Sequence, residues 1–388
     1  MRRLARPQPR DPRVSVARGL APAQAVSQAR VPLTSAAQTW ADKLALDAAV
    51  AGYGPHLAPL LADEAVTDVL VNDPHVAWVD RGEGLVAHPL ALSGDELRAL
   101  ALSLAAAARQ RLDDASPIVD GTLPDGTRLH AVLPPLSTWP LISLRTSRRR
   151  RLSVDDLVAC GTIAPALEPV IRALVAERAS TFISGATGSG KTTLLSALLG
   201  LVPTDQRILC IEEVTELRPD HPHVVHLQQR RGNVQAAGEV TMSDLVRAAM
   251  RMRPDRLILG ECRGGEVRDV LAAMNTGHEG GWATIHANAV TDVPARLYAL
   301  GALAGMSAHT VATQAAAGID TFVHIRRAAG GEGPTRWIGE IGVPVRVGGD
   351  LRADIAASIA RDGTLSPGPA WPRLLQRLDI PAENEEAR

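Results

Sequence analysis

Phenylalanine and tyrosine each occur only twice in 388 residues, and cysteine three times. Cys160, Cys210 and Cys262 stand far apart with no C-x-x-C pair, which removes a thiolate zinc module and fits a reducing compartment. Long apolar runs are missing as well. The longest, ALALSLAAAA at 99–108, falls short of the roughly 20 residues a bilayer span needs and reads as a buried helix. The arginines near the amino end are followed by no apolar h-region, so the expectation is a cytoplasmic protein without a secretory signal. An excess of one charge is lacking too. The formal net charge is −1, which gives no electrostatic case for direct nucleic-acid binding. Around the basic run Arg148–Arg151 no aromatics are interleaved, so it reads as a solvated hinge linker rather than an anion-binding patch.

What is present is a globular composition, 46% apolar and 21% charged, in a chain long enough for two or three domains. Residues 1–38 carry seven Arg against one Asp with little periodicity, and are expected to form a mobile basic tail. Residues 39–145 predict a small α/β (α+β) domain. It contains a hairpin-like VTDVLVNDPHVAWVD, a helix opened by the capping box Ser93–Glu96, and a hairpin around Pro124-Asp125-Gly126. A basic linker is placed at 146–160. From 161 to 345 helical stretches alternate with short apolar strands, TFIS (181–184), RILCI (207–211), RLILG (256–260), WATIH (282–286) and TFVHI (321–325). That alternation predicts a mostly parallel sheet covered on both faces, with its active site at the carboxyl ends of the strands. Residues 346–388 read as a peripheral extension.

The residues after each strand carry the chemistry. GATGSGKTT (185–193) follows TFIS directly and opens a helix, the context a phosphate-binding loop requires. Gly185, Ala186, Thr187, Gly188, Ser189, Gly190, Lys191, Thr192 and Thr193 are therefore the expected nucleotide-binding residues. The glycines let backbone N–H groups face phosphate, the helix adds its positive end, Lys191 reaches the β/γ-phosphates, and the Thr192 hydroxyl is the expected Mg²⁺ ligand. ATP and Mg²⁺ are the implied cofactors. Glu212 and Glu213 end one strand, with Glu216 a turn beyond, and Glu261 ends another. Glu261 is the first candidate to orient the attacking water, and Glu212 and Glu213 are further acids near Mg²⁺ or water. The histidines of HPHVVH (221–226) have no acid or cysteine cluster beside them and read as ordinary loop and strand residues. Cys210 and Cys262 read as small apolar fillers.

In this order and spacing, GATGSGKTT, IEEVTEL, RMRPDRLILGECRGGE and NTGHEGGWATIHANA resemble the type II/type IV secretion ATPase superfamily. Within it they are most similar to the tight-adherence (Tad/Cpa-like) pilus-assembly ATPases, which are allied to the conjugation-type enzymes. The N-terminal pieces VTDVLVNDPHVAWVD and DGTLPDGTRLHAVLPP look like that family's N-terminal domain. The resemblance implies a RecA-like P-loop NTPase motor domain preceded by the smaller domain, assembled as a homo-oligomeric, hexameric ring. It implies ATP hydrolysis driving pilus assembly or protein secretion through inner-membrane platform proteins, with the protein peripheral at the cytoplasmic face of that membrane. Conjugal transfer is the alternative, and a nucleotide-binding scaffold with little turnover is another. By the same resemblance His286, in the histidine box, senses the γ-phosphate, and His278 holds the loop. Arg145 reaches the nucleotide from the N-terminal domain, and Arg251 and Arg253 lie near the site or a subunit interface. The acidic box reads Glu-Glu where the family usually has Glu-Asp, and the C-x-x-C insert of the type II branch is absent.

Overall fold

Side chains on a strand alternate between faces, and in the second half of this chain both faces are apolar. The computed structural model describes residues 52–82, 84–146, 151–230, 238–277, 279–328, 330 and 332–381. The predicted tail at 1–38, His278 and all of the run Arg148–Arg151 except Arg151 lie outside them. The chain divides between residues 149 and 150 into two units.

The first unit contains α1 (Gly54–Ala62), β1 (Asp68–Asp73), β2 (Val76–Asp80), β3 (Leu85–Pro89), α2 (Gly94–Ala107), β4 (Ile118–Thr122), β5 (Arg128–Val132) and β6 (Leu141–Arg145). Its strands form one antiparallel sheet in the order β3-β2-β1-β6-β5-β4. Only one face is buried. Val69, Val71, Ala77, Val79, Leu129, Ala131, Ile142 and Leu144 alternate with half-buried or exposed residues and share a core with Leu97, Ala101 and Leu104 of α2. The Ser93–Glu96 capping box starts α2 with both reciprocal bonds made.

The second unit runs α3 (Val154–Ala159), α4 (Glu168–Ala176), β7 (Thr181–Ser184), α5 (Lys191–Leu199), β8 (Ile208–Glu212), β9 (Val224–Gln228) and α6 (Met242–Ala249). It continues through β10 (Arg256–Leu259), α7 (Val267–Asn275), β11 (Trp282–Ile285), α8 (Val293–Leu303), α9 (Ala308–Gly318) and β12 (Thr321–Arg327). β13 (Arg336–Val347), β14 (Asp350–Ile359), β15 (Leu365–Pro367) and α10 (Trp371–Arg377) complete it. The strand order is β15-β14-β13-β12-β7-β11-β10-β8-β9, parallel from β12 to β9 and antiparallel beyond β12. Ile183, Ile208, Cys210, Ile258 and Val323 bury on the face that carries α3, α4, α5 and α10. Their neighbours Phe182, Leu209, Ile211, Leu257, Leu259 and Phe322 bury on the face under α6, α7, α8 and α9. This two-sided burial explains the unbroken apolar runs and gives the predicted α/β sheet with helices on both faces.

Two predicted boundaries move. The linker placed at 146–160 and the domain start at 161 leave out α3, yet Val154 and Leu157 are buried in the second unit's core. The extension placed at 346–388 is, through residue 381, built into the second unit's sheet and core. β14 pairs along β13, and Ala356, Ala357, Ile359, Leu374 and Leu375 lie in the same core. The alternating polar and apolar residues of β14 belong to an antiparallel strand near the sheet's margin, a pattern that reads as surface in sequence.

Candidate functional site

Parallel polarity brings the ends of β7, β8, β10, β11 and β12 to one rim. β7 sits between β11 and β12, with Ser184 opposite Ile285 on one side and His324 on the other. The segment after Ser184 is therefore flanked by residue 286 and by the end of β12.

That segment is the glycine-rich loop. Gly188 and Gly190 hold φ values of 71° and 102°, left-handed conformations that glycine adopts without a Cβ penalty. A Cβ on Gly185 would come within 2.6 Å of both the Ile325 carbonyl oxygen and Ser189 Oγ, so the loop can press against β12 only with glycine there. Lys191 opens α5 and is buried at 7% exposure. Its Nζ donates to the carbonyl oxygens of Gly185 and Ala186, each at 2.9 Å. Burial lowers its pKa, and the nearby Glu261 charge opposes that shift. Ser189 Oγ is fully enclosed and has no hydrogen-bond partner among the described residues. Thr192 and Thr193 follow in the first turn of the helix, half-buried.

Across from Lys191 lies a cluster from two other strand ends. Glu261 follows β10 and His286 follows β11. His286 Nε2 lies 2.6 Å from Glu261 Oε1, and its Nδ1 lies 3.5 Å from Lys191 Nζ. A proton on Nε2 suits both neighbours, since it faces the carboxylate and leaves Nδ1 free to accept from the ammonium. Burial and then Lys191 push the His286 pKa below its ordinary value, so the ring is neutral near pH 7. Arg263 Nε lies 2.7 Å from the same Glu261 oxygen, and its other arm reaches Glu213 Oε2 at 3.1 Å. The Glu261 carboxylate raises the Arg263 pKa. Glu261 Oε1 is thus held between His286 and Arg263. The loop that carries Glu261 and Arg263 is fixed by the buried Glu266, whose Oε1 accepts from the N–H groups of Arg263 and Gly264 at 2.7 and 2.8 Å.

Glu212 does not join this cluster. It is 3% exposed, and its Oε1 accepts from the backbone N–H groups of Glu216 and Leu217, both at 2.8 Å. Its Oε2 lies 3.3 Å from His226 Nδ1. A carboxylate engaged this way folds the loop after β8, and the role expected for it beside Mg²⁺ is not what its partners describe. The last histidine of HPHVVH thus orients a buried acid. No group of three or more His, Cys, Asp or Glu side chains able to hold a metal occurs among the described residues. A Mg²⁺ ion here would depend on the Thr192 hydroxyl together with phosphate oxygens and water, and the free position of Thr192 at the helix start suits that.

The arginines are dispersed. Arg145 ends β6 in the first unit, exposed, with Nε 3.2 Å from Asp68 Oδ1. Arg251 and Arg253 are exposed and precede β10, at the amino end of the strand whose carboxyl end leads to Glu261. Four residues of strand, roughly 13 Å at 3.3 Å per residue, separate that edge from the carboxyl end where Glu261 stands. Within one subunit Arg253 therefore does not join the cluster. Burial pushes both the Cys210 and the Cys262 thiols well up, in keeping with apolar fillers.

Several contributors were not singled out in the sequence. Arg263 stands two residues after Glu261, in GECRGGE, where spacing was the available signal. His324, 3% exposed, meets Ser184 Oγ at 2.9 Å directly beneath the loop, and burial lowers its pKa. Arg336 Nε donates to the Gly188 carbonyl at 3.2 Å, a contact invisible without the β12–β13 pairing.

The comparisons with known proteins agree with this geometry. A family model described as "Type II/IV secretion system protein" matches residues 54–319. A putative conjugal transfer protein of Mycobacterium tuberculosis is 46% identical over 305 residues, covering 76% of this chain and 86% of that protein. The conjugal transfer protein TrbB of Rhizobium radiobacter is 33% identical over 283 residues, covering 72% and 84%. Two solved structures share the fold. The pilus retraction motor PilT with bound ADP aligns at TM-score 0.53 and 18% identity over 83% of this chain and 85% of its own. The Legionella pneumophila ATPase DotB aligns at TM-score 0.52 and 19% identity over 82% and 80%. Matched by that model over residues 54–319 and by relatives along most of their length, this chain belongs to the type II/IV secretion system protein family.

Proposed function

We propose that this protein hydrolyses ATP and uses the resulting movement to drive a secretion or transfer apparatus. The observation that carries the reading is Glu261, which ends β10 beside the glycine-rich loop with its Oε1 held by His286 at 2.6 Å and Arg263 at 2.7 Å. A carboxylate oriented in this way beside a lysine-bearing loop is suited to align a water molecule over a γ-phosphate. Lys191 would exchange its contacts with the Gly185 and Ala186 carbonyls for β/γ-phosphate oxygens, while N–H groups of the loop and of the start of α5 cradle the same charge. Glu261 would align the water and receive its proton. His286 would hold Glu261 on one side and Lys191 on the other, which ties the acid's position to the phosphate-binding lysine. The Thr192 hydroxyl would hold Mg²⁺, whose charge would help neutralise the phosphates.

The reported relatives that carry the conjugal-transfer name fit both the pilus-assembly or secretion reading and conjugation-type transport, its alternative. Association into a ring, with Arg253 or Arg145 completing a neighbour's site, and docking on inner-membrane platform proteins are part of the same proposal. No described helix is long and apolar enough to cross a membrane. The test is phosphate release from purified full-length protein against Lys191→Ala and Glu261→Gln controls. Turnover no higher than the Lys191→Ala background would leave only a nucleotide-binding scaffold.

A further inference from the structure

We propose that Arg327 and Arg336 form a cationic clamp on the nucleoside-side phosphates, the α and β groups, of the nucleotide bound at the glycine-rich loop. The inference rests on the reading of that loop as an ATP site. β12 and β13 pair antiparallel with Arg327 directly opposite Arg336. Residues directly opposite in an antiparallel pair share one face of the sheet, so both guanidinium groups leave the strands on the same side.

Both side chains lean on the loop. Arg336 Nε donates to the Gly188 carbonyl at 3.2 Å, and its Cδ lies 3.2 Å from where a Cβ on Gly190 would stand. Arg327 reaches the same place from its own strand, with one guanidinium nitrogen 3.0 Å from where a Cβ on Gly188 would stand. Its neighbour Arg326 is paired with Glu340, whereas Arg327 is exposed and has no ion-pair or hydrogen-bond partner among the described residues. Gly188 therefore does two things. It supplies the left-handed turn of the loop, and its missing side chain leaves the space that a guanidinium approaches.

Sheet order says which part of the ligand the pair would meet. β7 is flanked by β11 and β12. Glu261 and His286 stand on the β10–β11 side, so a triphosphate with its γ-phosphate there extends its α-phosphate and nucleoside across the loop toward β12. Arg336 fixes the loop backbone, and Arg327 supplies free charge at the end of that path. Both lie beyond residues 54–319, the span matched by the family model.

The test is a titration of full-length protein with fluorescently labelled ADP and ATP, together with steady-state ATPase measurements, for wild type, Arg327→Ala, Arg327→Lys and Arg336→Ala. Arg327 is exposed, so Arg327→Ala should melt at the wild-type temperature; Arg336→Ala is read only if it does too. A clamp on the α and β phosphates predicts that Arg327→Ala weakens ADP and ATP by the same factor, about five- to tenfold. KM should rise by a similar factor with kcat within about twofold, and Arg327→Lys should recover part of the loss. Wild-type affinity for ADP in Arg327→Ala overturns the proposal, as does a fall in kcat at unchanged KM. Failure of the wild type to bind either nucleotide overturns the ATP-site reading and this inference together, and it is visible before any variant is made.

Discussion

His286 Nε2 lies 2.6 Å from Glu261 Oε1, although the two residues end different strands and are 25 positions apart (286 − 261). The same imidazole turns Nδ1 toward Lys191 Nζ at 3.5 Å. In the proposed mechanism one neutral ring therefore links the acid that aligns the water to the lysine that holds the phosphates. This places His286 in the chemical step more than in binding. His286→Ala should lower kcat by about 10²-fold, while labelled-ATP affinity stays within about threefold of wild type. A variant that loses affinity and keeps kcat would put the histidine in ground-state binding instead.

Arg263 holds the other side of the Glu261 carboxylate at 2.7 Å. Arg263→Gln removes that restraint and leaves the acid in place. Turnover should fall by about tenfold, less than for Glu261→Gln, and the double variant should be no worse than Glu261→Gln alone. Steady-state rates of the three variants check this, and additive losses would show that Arg263 acts elsewhere.

Glu212 makes a contrasting prediction. Its buried carboxylate accepts two backbone N–H groups of the loop at 216–217, and Gly260 leaves room for it, since a Cβ there would come 2.8 Å from Glu212 Cγ. Glu212→Ala leaves both donors without their acceptor. The expected cost is about 1–3 kcal/mol of stability per unsatisfied donor, read as a lower unfolding temperature, with a smaller loss of kcat than Glu261→Gln at a temperature where both variants are folded. A kcat loss equal to that of Glu261→Gln at unchanged stability would return Glu212 to the catalytic role the sequence suggested.

His324 gives the pH dependence. It is buried against Ser184 Oγ, and desolvation holds its pKa below the ordinary 6.5, with Glu340 and Asp292 opposing and Arg326 and Lys191 reinforcing the shift. His286 shifts the same way. Above pH 6.5 both rings are neutral in the folded and unfolded chain, and the full stability is present. As pH falls, the unfolded chain takes up protons first, so stability is lost toward the depressed folded values. The unfolding temperature should drop between pH 7 and pH 5, by about 2–4 °C for each kcal/mol lost. His324→Asn, which keeps an acceptor or donor near Nδ1 without a titrating ring, should flatten that slope. An unchanged slope would exclude His324 as a source.

The local parts of this site are legible in the sequence because they are contiguous. The loop from Gly185 to Thr193, the Ser93–Glu96 cap and the apolar strands need no long-range information. The contact between Glu261 and His286 needs the order β10-β11-β7, which strand–helix alternation suggests without fixing. Arg253 has a motif position that implies a place near the site or at a subunit interface, and strand direction sets it at the amino end of β10, away from Glu261 within one subunit. Glu212 and Glu261 look alike as acids at strand ends. They differ because one loop folds back to donate N–H groups and the other does not. β14 was read as peripheral because its pattern of alternate burial suits a marginal antiparallel strand as well as it suits loose surface chain.

The central claim is that Glu261 prepares the water for attack on a nucleotide held by Lys191. The most direct measurement is single-turnover ATP hydrolysis by full-length Glu261→Gln, with binding of labelled ATP followed on the same sample. The account predicts a hydrolysis rate at least about 10²-fold below wild type with ATP affinity unchanged within about threefold. Hydrolysis at the wild-type rate by Glu261→Gln, with binding intact, would contradict it.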